Sequence, residues 1–336
     1  MIASHFFIRS SLLLAMVAMV AMLALSALPP LAGDALAQPF PVKPMRVVVG
    51  FSPGSAADFT GRLLAQKMAE VLGQPVVVEN RTGAAGSIAT ERVAAAAADG
   101  YTLHMVTAPD TAQPALRLKL PYDLERDFAP VTMVVSGAFV LTVNPSVPAR
   151  NAKELITLAR AQPGKLSYGS SGVGSSAHLA GELLNAMTQT KLLHVPYKGA
   201  GEVVIANVAG QIDAGFPSYV AANALIQSGK LRALAVPSAK RSALMPHIPT
   251  LHESGVTGYD RYSWYGISVP AGTPRRIIER LHAVIVKIVS APEVTEALNR
   301  QGFEPQTNTP EQFAAQIRSE IAQNTKLIKS LGLRSE

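Results

Sequence analysis

Hydrophobic and polar positions change pattern sharply between residues 45 and 72. Residues 47–49 are three consecutive valines, a run typical of a strand that is covered on both faces. From Phe59 to Leu72, apolar side chains recur at the spacing of one helix face. Proline and glycine in the intervening turn, residues 52–55, permit a sharp change of direction. The pattern therefore predicts a strand, a tight loop and a helix in immediate succession.

The predicted loop is suited to an anion. Ser55 can cap the helix, and the first N–H groups of a helix then point towards whatever lies at the mouth of the loop. Asp58, in the first helical turn, is expected to complement the helix dipole and to accept hydrogen bonds from backbone N–H groups. The alternative is that the loop is only a structural turn, since any α/β domain contains several.

The same strand, loop and helix unit recurs further along the chain. Strands are predicted over residues 76–79 and 101–107, with a helix over residues 88–98 between them. This alternation predicts a parallel sheet with helices on both faces. The loops that follow the strands would then lie on one side, where open α/β sheets hold ligands.

A second α/β series follows, and two long extended segments flank it. These segments, residues 131–143 and 262–269, are predicted to cross between two lobes. The tail is predicted to be helical, with starts at Thr273 and Thr309, each followed by proline. Two crossings make a hinge, and a cleft between two α/β lobes can enclose a small ligand. We expect residues 38–140 with 263–336 to form the first lobe and residues 141–262 the second.

Residues 1–37 have the pattern of a cleaved export signal, although an uncleaved anchor is an alternative because residues 12–28 form a long apolar run.

The composition of the chain excludes several classes of function. The sequence has no cysteine, which excludes disulfides and thiolate metal sites. The net charge is +7, but the basic residues are scattered, so we expect no nucleic-acid partner. No histidine has metal-ligand spacing with carboxylates, so neither a metal nor a cofactor is expected.

Residues 169–176 form a loop rich in glycine and serine. Close backbone approach, hydroxyl donors and a following helix suit a carboxylate. The spacing does not match a dinucleotide fingerprint, and Val173 stands where a nucleophile elbow requires glycine. His178 is expected to be packed and hydrogen-bonded. An exported serine hydrolase, in which a hydroxyl of residues 170–176 acts with His178, and a ligand-sensing module for a signalling partner stay open as alternatives.

Motifs spread over most of the chain resemble a known family. They are Pro44-Met45-Arg46-Val47-Val48-Val49, Phe51-Ser52-Pro53-Gly54, Gly83-Ala84-Ala85-Gly86, Asp99-Gly100-Tyr101-Thr102-Leu103, His178-Leu179-Ala180-Gly181-Glu182, His194-Val195-Pro196-Tyr197-Lys198-Gly199 and Pro270-Ala271-Gly272-Thr273-Pro274. In these the chain is similar to the substrate-binding proteins of tripartite tricarboxylate transporters, the Bug or TctC-like family. The resemblance implies a type II periplasmic-binding-protein fold, with two α/β lobes, a two-strand hinge and a central ligand cleft. It also implies a periplasmic receptor rather than an enzyme.

The resemblance further implies a small organic carboxylate as ligand and a set of residues that contact it. The first lobe would offer Phe51, Ser52, Pro53, Gly54, Ser55, Asp58, Thr107 and Ala108, and the second would offer Ser170, Ser171, Gly172, Gly174, Ser175, Tyr197 and Pro217. Ser55 stands where the family commonly has a second glycine, so it is expected either to donate to the ligand or to narrow the pocket. The implied partners are the integral membrane subunits of the transporter, bound transiently, and we expect a monomer.

Overall fold

The computed structural model describes residues 40–117, 119–137, 139–197 and 199–332. Every helix and strand named below lies in one compact unit, Lys43–Glu336. In the other unit, Met1–Val42, only residues 40–42 are described, and they contain neither helix nor strand. The predicted export signal, residues 1–37, lies outside the described residues. No helix within the described ranges is both long enough and apolar enough to span a bilayer.

The described part of the chain contains eleven strands and ten α-helices. The strands are β1 Met45–Val49, β2 Val76–Asn80, β3 Thr102–Thr107, β4 Phe128–Gly137, β5 Leu141–Val143, β6 Ser167–Ser170, β7 Leu193–Pro196, β8 Ala214–Gly215, β9 Arg232–Ala235, β10 Ser263–Pro270 and β11 Phe303–Pro305. The helices are α1 Ala56–Leu72, α2 Ser87–Ala94, α3 Gln113–Leu116, α4 Ala152–Ala161, α5 Ser176–Thr188, α6 Ala200–Val208, α7 Tyr219–Gln227, α8 Arg275–Val289, α9 Pro292–Arg300 and α10 Pro310–Ser330. Short 3₁₀ turns cover Ala84–Gly86 and Ala108–Ala112.

The strands form two sheets, and each sheet with its helices makes one lobe. The first sheet has the order β11-β4-β10-β3-β1-β2, and the second has the order β7-β6-β8-β5-β9. The chain passes from the first sheet to the second after β4 and returns after β9. The α/β fold with two crossings agrees with the sequence pattern. The exact residue boundaries of the lobes stay a prediction.

The first three strands have the parallel arrangement that their sequence pattern predicts, whereas the strands next to the crossings pair antiparallel. β1 pairs in parallel with β2 and β3, and β6 pairs in parallel with β7 and β8. In contrast, β10 is antiparallel to β3 and β4, and β5 is antiparallel to β8 and β9. The physical reason is the direction in which β10 and β5 enter their sheets. Each arrives from the other lobe, so it starts at the edge of the sheet where the parallel strands end and runs in the opposite direction to them.

The structure corrects the predicted strands and helices in two places. The long extended segment predicted over residues 131–143 is two strands, because β4 ends at Gly137 and β5 starts at Leu141. The tail contains a third helix, α9, with Pro292 at its first position, and strand β11, which pairs with the end of β4. A three-residue strand is too short to show a period, so only the pairing reveals it.

Each sheet has a separate hydrophobic core. The core of the first lobe is built around Val48, Met133, Trp264 and Phe313, and that of the second around Leu155, Tyr168, Phe216 and Tyr259. A smaller hydrophobic cluster joins the lobes. It contains Leu116, which follows β3 in the first lobe, Leu179 of α5 in the second lobe, and Ile328 of α10. The edge of the first lobe that follows β3 therefore lies against the start of α5 in the second lobe.

Candidate functional site

The loop after β1 is shaped by Gly54, Ser55 and Asp58. Gly54 has a φ of +81°, which glycine adopts without strain. Ser55 is the N-cap of α1, and its hydroxyl accepts a hydrogen bond from the amide of Asp58 at 3.2 Å. In return, Asp58 Oδ2 accepts the amide N–H of Gly54 at 2.9 Å. This reciprocal pair fixes the turn and leaves the first amides of α1 directed out of the helix end.

Asp58 is 3% exposed, and its other contacts hold neighbouring segments. Its carboxylate accepts from Arg62 Nε at 2.9 Å and from Asn80 Nδ2 at 2.8 Å, and Asn80 also donates to the carbonyl of Phe51 at 3.0 Å. Burial opposes the charged form, but the hydrogen bonds from Arg62, Gly54 and Asn80 outweigh it and lower the pKa of Asp58. Asp58 is therefore a charged support beneath the loop, as its position in the first turn predicts.

The loops that follow β2 and β3 lie beside this turn. A Cβ added to Gly50 would lie 2.7 Å from the Cα of Gly86, so the two backbones touch. A Cβ on Gly86 would in turn approach Asp110 Oδ1 to 3.1 Å and the ring of Phe51 to 3.7 Å. Three loops thus meet at the end of β1, β2 and β3, as expected for the carboxyl edge of a parallel sheet.

Asp110 is a second carboxylate beneath these loops. It is buried, and its Oδ2 accepts from the amide of Thr107 at 2.7 Å and from the hydroxyl of Thr107 at 2.9 Å. Burial raises the pKa of Asp110 to about 6, although the bonds from Thr107 and Thr90 act in the opposite direction. Thr107 and Ala108 are also buried, so they belong to the floor of this region rather than to its surface.

In the second lobe, the loop between β6 and α5 has the same local construction. Gly172 and Gly174 have φ values of +114° and +81°. Ser175 is the N-cap of α5, and its hydroxyl accepts from the amide of His178 at 3.2 Å. His178 Nδ1 accepts the amide N–H of Gly174 at 3.1 Å. The imidazole thus occupies the position that the carboxylate of Asp58 has in the first lobe.

A second histidine supports this loop from below. His194 Nε2 and Ser170 Oγ are joined by a hydrogen bond of 2.6 Å, and Ser170 Oγ also accepts from the amide of Gly172 at 3.2 Å. The rings of His194 and His178 are 4.1 Å apart. Burial, followed by the nearby His194, lowers the pKa of His178 to about 4, and burial also lowers the pKa of His194. Both rings are therefore neutral near pH 7.

Tyr197 and Pro217 follow the neighbouring strands of the second sheet. The amide of Tyr197 donates to the carbonyl of Ser170 at 2.8 Å, and its half-buried ring packs beside Val203. Pro217 is buried, and its carbonyl accepts from the amide of Val140 at 3.0 Å. Both residues lie at the carboxyl edge of their sheet.

The predicted residues thus fall into two groups. Ser52, Pro53, Gly54 and Ser171 are exposed, and Phe51, Ser55, Gly172, Ser175 and Tyr197 are partly exposed. The others, Asp58, Thr107, Ala108, Ser170, Gly174 and Pro217, are buried and support the loops. A Cβ on Gly174 would lie 2.5 Å from Leu116 Cδ1, so the serine-rich loop meets the edge of the first lobe.

Two cavities lie elsewhere, at the return crossing. One of about 650 Å³ is bounded by α5, α10 and residues 258–262, and one of about 420 Å³ is bounded by residues 236–242 and 304–306. None of the predicted site residues lines either cavity. Across the described ranges there is no cluster of three potential metal ligands.

The geometry does not support nucleophilic catalysis in the serine-rich loop. His178 directs Nδ1 to the Gly174 amide, and the Ser175 hydroxyl caps a backbone N–H. Ser170 does pair with a histidine, His194, but it is 0% exposed, so a substrate cannot reach its hydroxyl.

The sequence pattern does not identify three residues that support the two loops. Arg62 and Asn80 hold Asp58, and His194 holds Ser170. An i,i+4 pattern of opposite charge could have found Arg62. Asn80 and His194 lie 22 and 24 residues from their partners, so only the pairing of strands brings them together.

Two α/β lobes joined by two crossings, with polar loops and helix N-termini at adjoining edges, define a two-lobed solute-binding protein. The model of the tripartite tricarboxylate transporter family receptor, TctC, matches residues 60–333. The chain therefore belongs to this family, which confirms the resemblance seen in its motifs.

Individual relatives support this assignment over nearly the whole chain. The UPF0065 protein in the tcbD-tcbE intergenic region of a Pseudomonas strain is 39% identical over 290 residues, which is 86% of each chain. The structure of an R. palustris protein with adipate has a TM-score of 0.77 and 34% identity, covering 88% of this chain and 100% of that chain. The structure of MatC from Rhodopseudomonas palustris with bound malate has a TM-score of 0.73 and 30% identity, covering 86% and 100%.

These findings establish the general class of function. The protein is a solute-binding receptor of the TctC family, not an enzyme, and receptors of this family are periplasmic. The α/β fold with two lobes is the fold of the family's periplasmic binding proteins.

Proposed function

We propose that the protein captures a small organic carboxylate between the loop after β1 and the loop after β6 and delivers it to the membrane subunits of a tripartite tricarboxylate-type transporter. The exposed and partly exposed members of the predicted set contact the ligand through their hydroxyl and amide groups, and the buried members support them. Closure of the two lobes about the crossings encloses the ligand.

The construction of the two loops is the observation that carries the proposal. In each lobe a glycine at a φ of +81° precedes a serine N-cap, and the helix that follows directs its first amides out of the helix end. Such amides and the positive end of the helix dipole bind anions. Ser52, Ser55, Ser171 and Ser175 add hydroxyl donors that are at least partly exposed.

The relatives support the chemical class of the ligand. The two related structures named above hold adipate and malate, which are both dicarboxylates. A ligand with a carboxylate at each end suits two helix N-termini in two lobes. A ligand shifts the balance towards the closed form only by its preference for that form, so contacts from both lobes are needed.

The cellular setting is proposed on the same basis. Residues 1–37 have the composition of a cleaved export signal, and the family's receptors are periplasmic. We therefore infer that the protein is exported to the periplasm, works as a monomer and docks transiently to the integral membrane subunits of the transporter.

A calorimetric titration with a panel of acids tests the proposed function. The panel comprises adipate, malate, succinate, citrate, benzoate and aspartate, each paired where possible with its uncharged methyl ester. We expect at least one acid to bind with a micromolar Kd or tighter, with no chemical conversion of the ligand. Its ester should bind at least about 100-fold more weakly, since the ester cannot offer an anion to the helix ends.

The opposite pattern would refute the assignment. If the acids gave no heat of binding and no thermal shift, or if esters bound as well as acids, the carboxylate would not be what the loops recognise. Steady release of alcohol from the esters would point instead to the hydrolase alternative.

A further inference from the structure

The two candidate ligand loops share one local motif but differ in its last residue. The motif is Gly-Ser-x-x-Asp at residues 54–58 and Gly-Ser-x-x-His at residues 174–178. In both, the serine hydroxyl accepts the amide of the last residue, and the side chain of the last residue accepts the glycine amide. The first lobe therefore uses a charged acceptor and the second a neutral one.

The charged residue in the next turn of the helix also differs between the two lobes. Asp58 pairs with Arg62, four residues on, at 2.9 Å, which balances its negative charge. Four residues after His178 stands Glu182, whose Oε1 accepts the hydroxyl of Tyr168 at 2.7 Å. A carboxylate at position 178 would thus stand one helical turn from a second carboxylate instead of a guanidinium.

The surroundings of His178 keep its ring neutral and oriented. Because Nδ1 accepts the Gly174 amide, the proton of the neutral ring must be on Nε2. Tyr168 of β6 lies beside the ring of His194, with 5.1 Å between the ring centroids, and its hydroxyl donates to the carbonyl of His178 at 3.1 Å. Ser170 bonds to Nε2 of His194, and the Tyr168 hydroxyl also donates to Glu182. No described carboxylate forms an ion pair with His178 or His194.

We propose that His178 is a positioning residue for the carboxylate ligand: its neutral imidazole holds the Gly174 amide, and with it the turn before α5, without placing a negative charge beneath the loop. His194 completes this support through Ser170. The inference rests on the proposed function, because it assigns the anion to this loop. It makes the second lobe the stronger anchor for a carboxylate, since the first loop already contains the paired charge of Asp58.

Two substitutions that differ only in charge test this role. His178→Asn keeps a neutral acceptor near the position of Nδ1, so it should bind adipate or malate, whichever binds the native protein, within about threefold of the native Kd at pH 7.5. His178→Asp keeps an acceptor but adds a negative charge, and it should bind at least tenfold more weakly. Because Glu182 could destabilise that variant, the same comparison is made with His178→Asp combined with Glu182→Gln.

His252 provides the matched control. Its Nδ1 also accepts a backbone N–H, that of Gly258 at 3.0 Å, but it is exposed and lies in a different turn. His252→Asn and His252→Asp should both leave the Kd unchanged.

A pH profile adds a readout that does not depend on the ligand. Burial lowers the pKa of His178 to about 4 from an ordinary value of 6.5. The unfolded chain therefore takes up a proton first as the pH falls below 6.5, and the folded protein loses stability towards pH 4. The Tm of the native protein should fall more steeply between pH 6.5 and 4.5 than the Tm of His178→Asn.

The outcomes are distinct. Equal weakening by asparagine and aspartate, or native-like binding by His178→Asp in a folded protein, would overturn the proposed role. Identical pH profiles for the native protein and His178→Asn would also contradict it. If the native protein bound none of the acids in the panel, the proposed function would fail, and this inference with it.

Discussion

Replacing Asp58 by alanine is expected to lower the affinity for the carboxylate ligand by at least tenfold and to destabilise the protein. The substitution removes the acceptor for the Gly54 amide, for Arg62 and for Asn80 in a single step. Hydrogen bonds to a charged group contribute about 1.5–3 kcal/mol, so we expect a loss of about 2 kcal/mol in the free energy of unfolding. Because Gly54 then loses its fixed position, the amides at the start of α1 are no longer preorganised. Calorimetric titration and urea unfolding measure the two effects.

Asp127→Ala is the matched control for this prediction. Asp127 also accepts a backbone N–H, from Asp123 at 2.8 Å, and pairs with an adjacent arginine, Arg126. It lies outside the candidate loops, so its replacement should leave the Kd unchanged. Equal Kd values for Asp58→Ala and the native protein would show that the loop after β1 takes no part in binding.

Replacing Gly181 by alanine is expected to destabilise the protein more than Asp58→Ala does. Gly181 lies in α5 against the ring of Tyr168, and an added Cβ would stand 2.1 Å from Tyr168 Cε2 and 2.3 Å from Cζ. The ring is fully buried and its hydroxyl is committed to Glu182, so it cannot move without breaking contacts in the core. Overpacking of this kind costs about 3 kcal/mol, which lowers the Tm of a protein of this size by roughly 5 °C.

Gly201→Ala is the control, since Gly201 also lies in a helix, α6, but an added Cβ would meet no atom within 4 Å other than those of its chain neighbours and its own helix backbone. That change should be neutral or should stabilise the protein by about 0.5 kcal/mol, because alanine favours the helix more than glycine does. Scanning calorimetry distinguishes the two variants. Similar Tm values would mean that α5 can shift away from β6 and that the core of the second lobe is not tightly packed.

Much of the fold could be predicted because the local signals are strong. The valine run before the Pro-Gly turn identifies β1, and Ser55 and Asp58 identify the start of α1. The direction of the crossing strands could not be predicted, since it depends on the edge at which a strand enters a sheet. Strand β11 has only three residues, and its pairing with β4 comes from tertiary structure.

For the candidate site, the sequence pattern predicts the loops but not the exposure or the contacts of the residues in them. Composition and helix-capping rules indicated that residues 52–58 and 169–176 suit an anion, and the resemblance named the residues within them. The rules could not tell which hydroxyls are exposed, and Ser170 is buried whereas Ser171 is exposed. Nor could they show that His194, on a neighbouring strand, bonds to Ser170. Such contacts depend on strand register, which the sequence does not display.

A crystal structure of the protein with its tightest-binding dicarboxylate tests the central claim most directly. The account predicts that one carboxylate lies within hydrogen-bonding distance of amides or hydroxyls of residues 171–176 and that the ligand also contacts residues 52–57 of the first lobe. A ligand found instead in the 650 Å³ cavity at the return crossing, or held by one lobe alone, would contradict it.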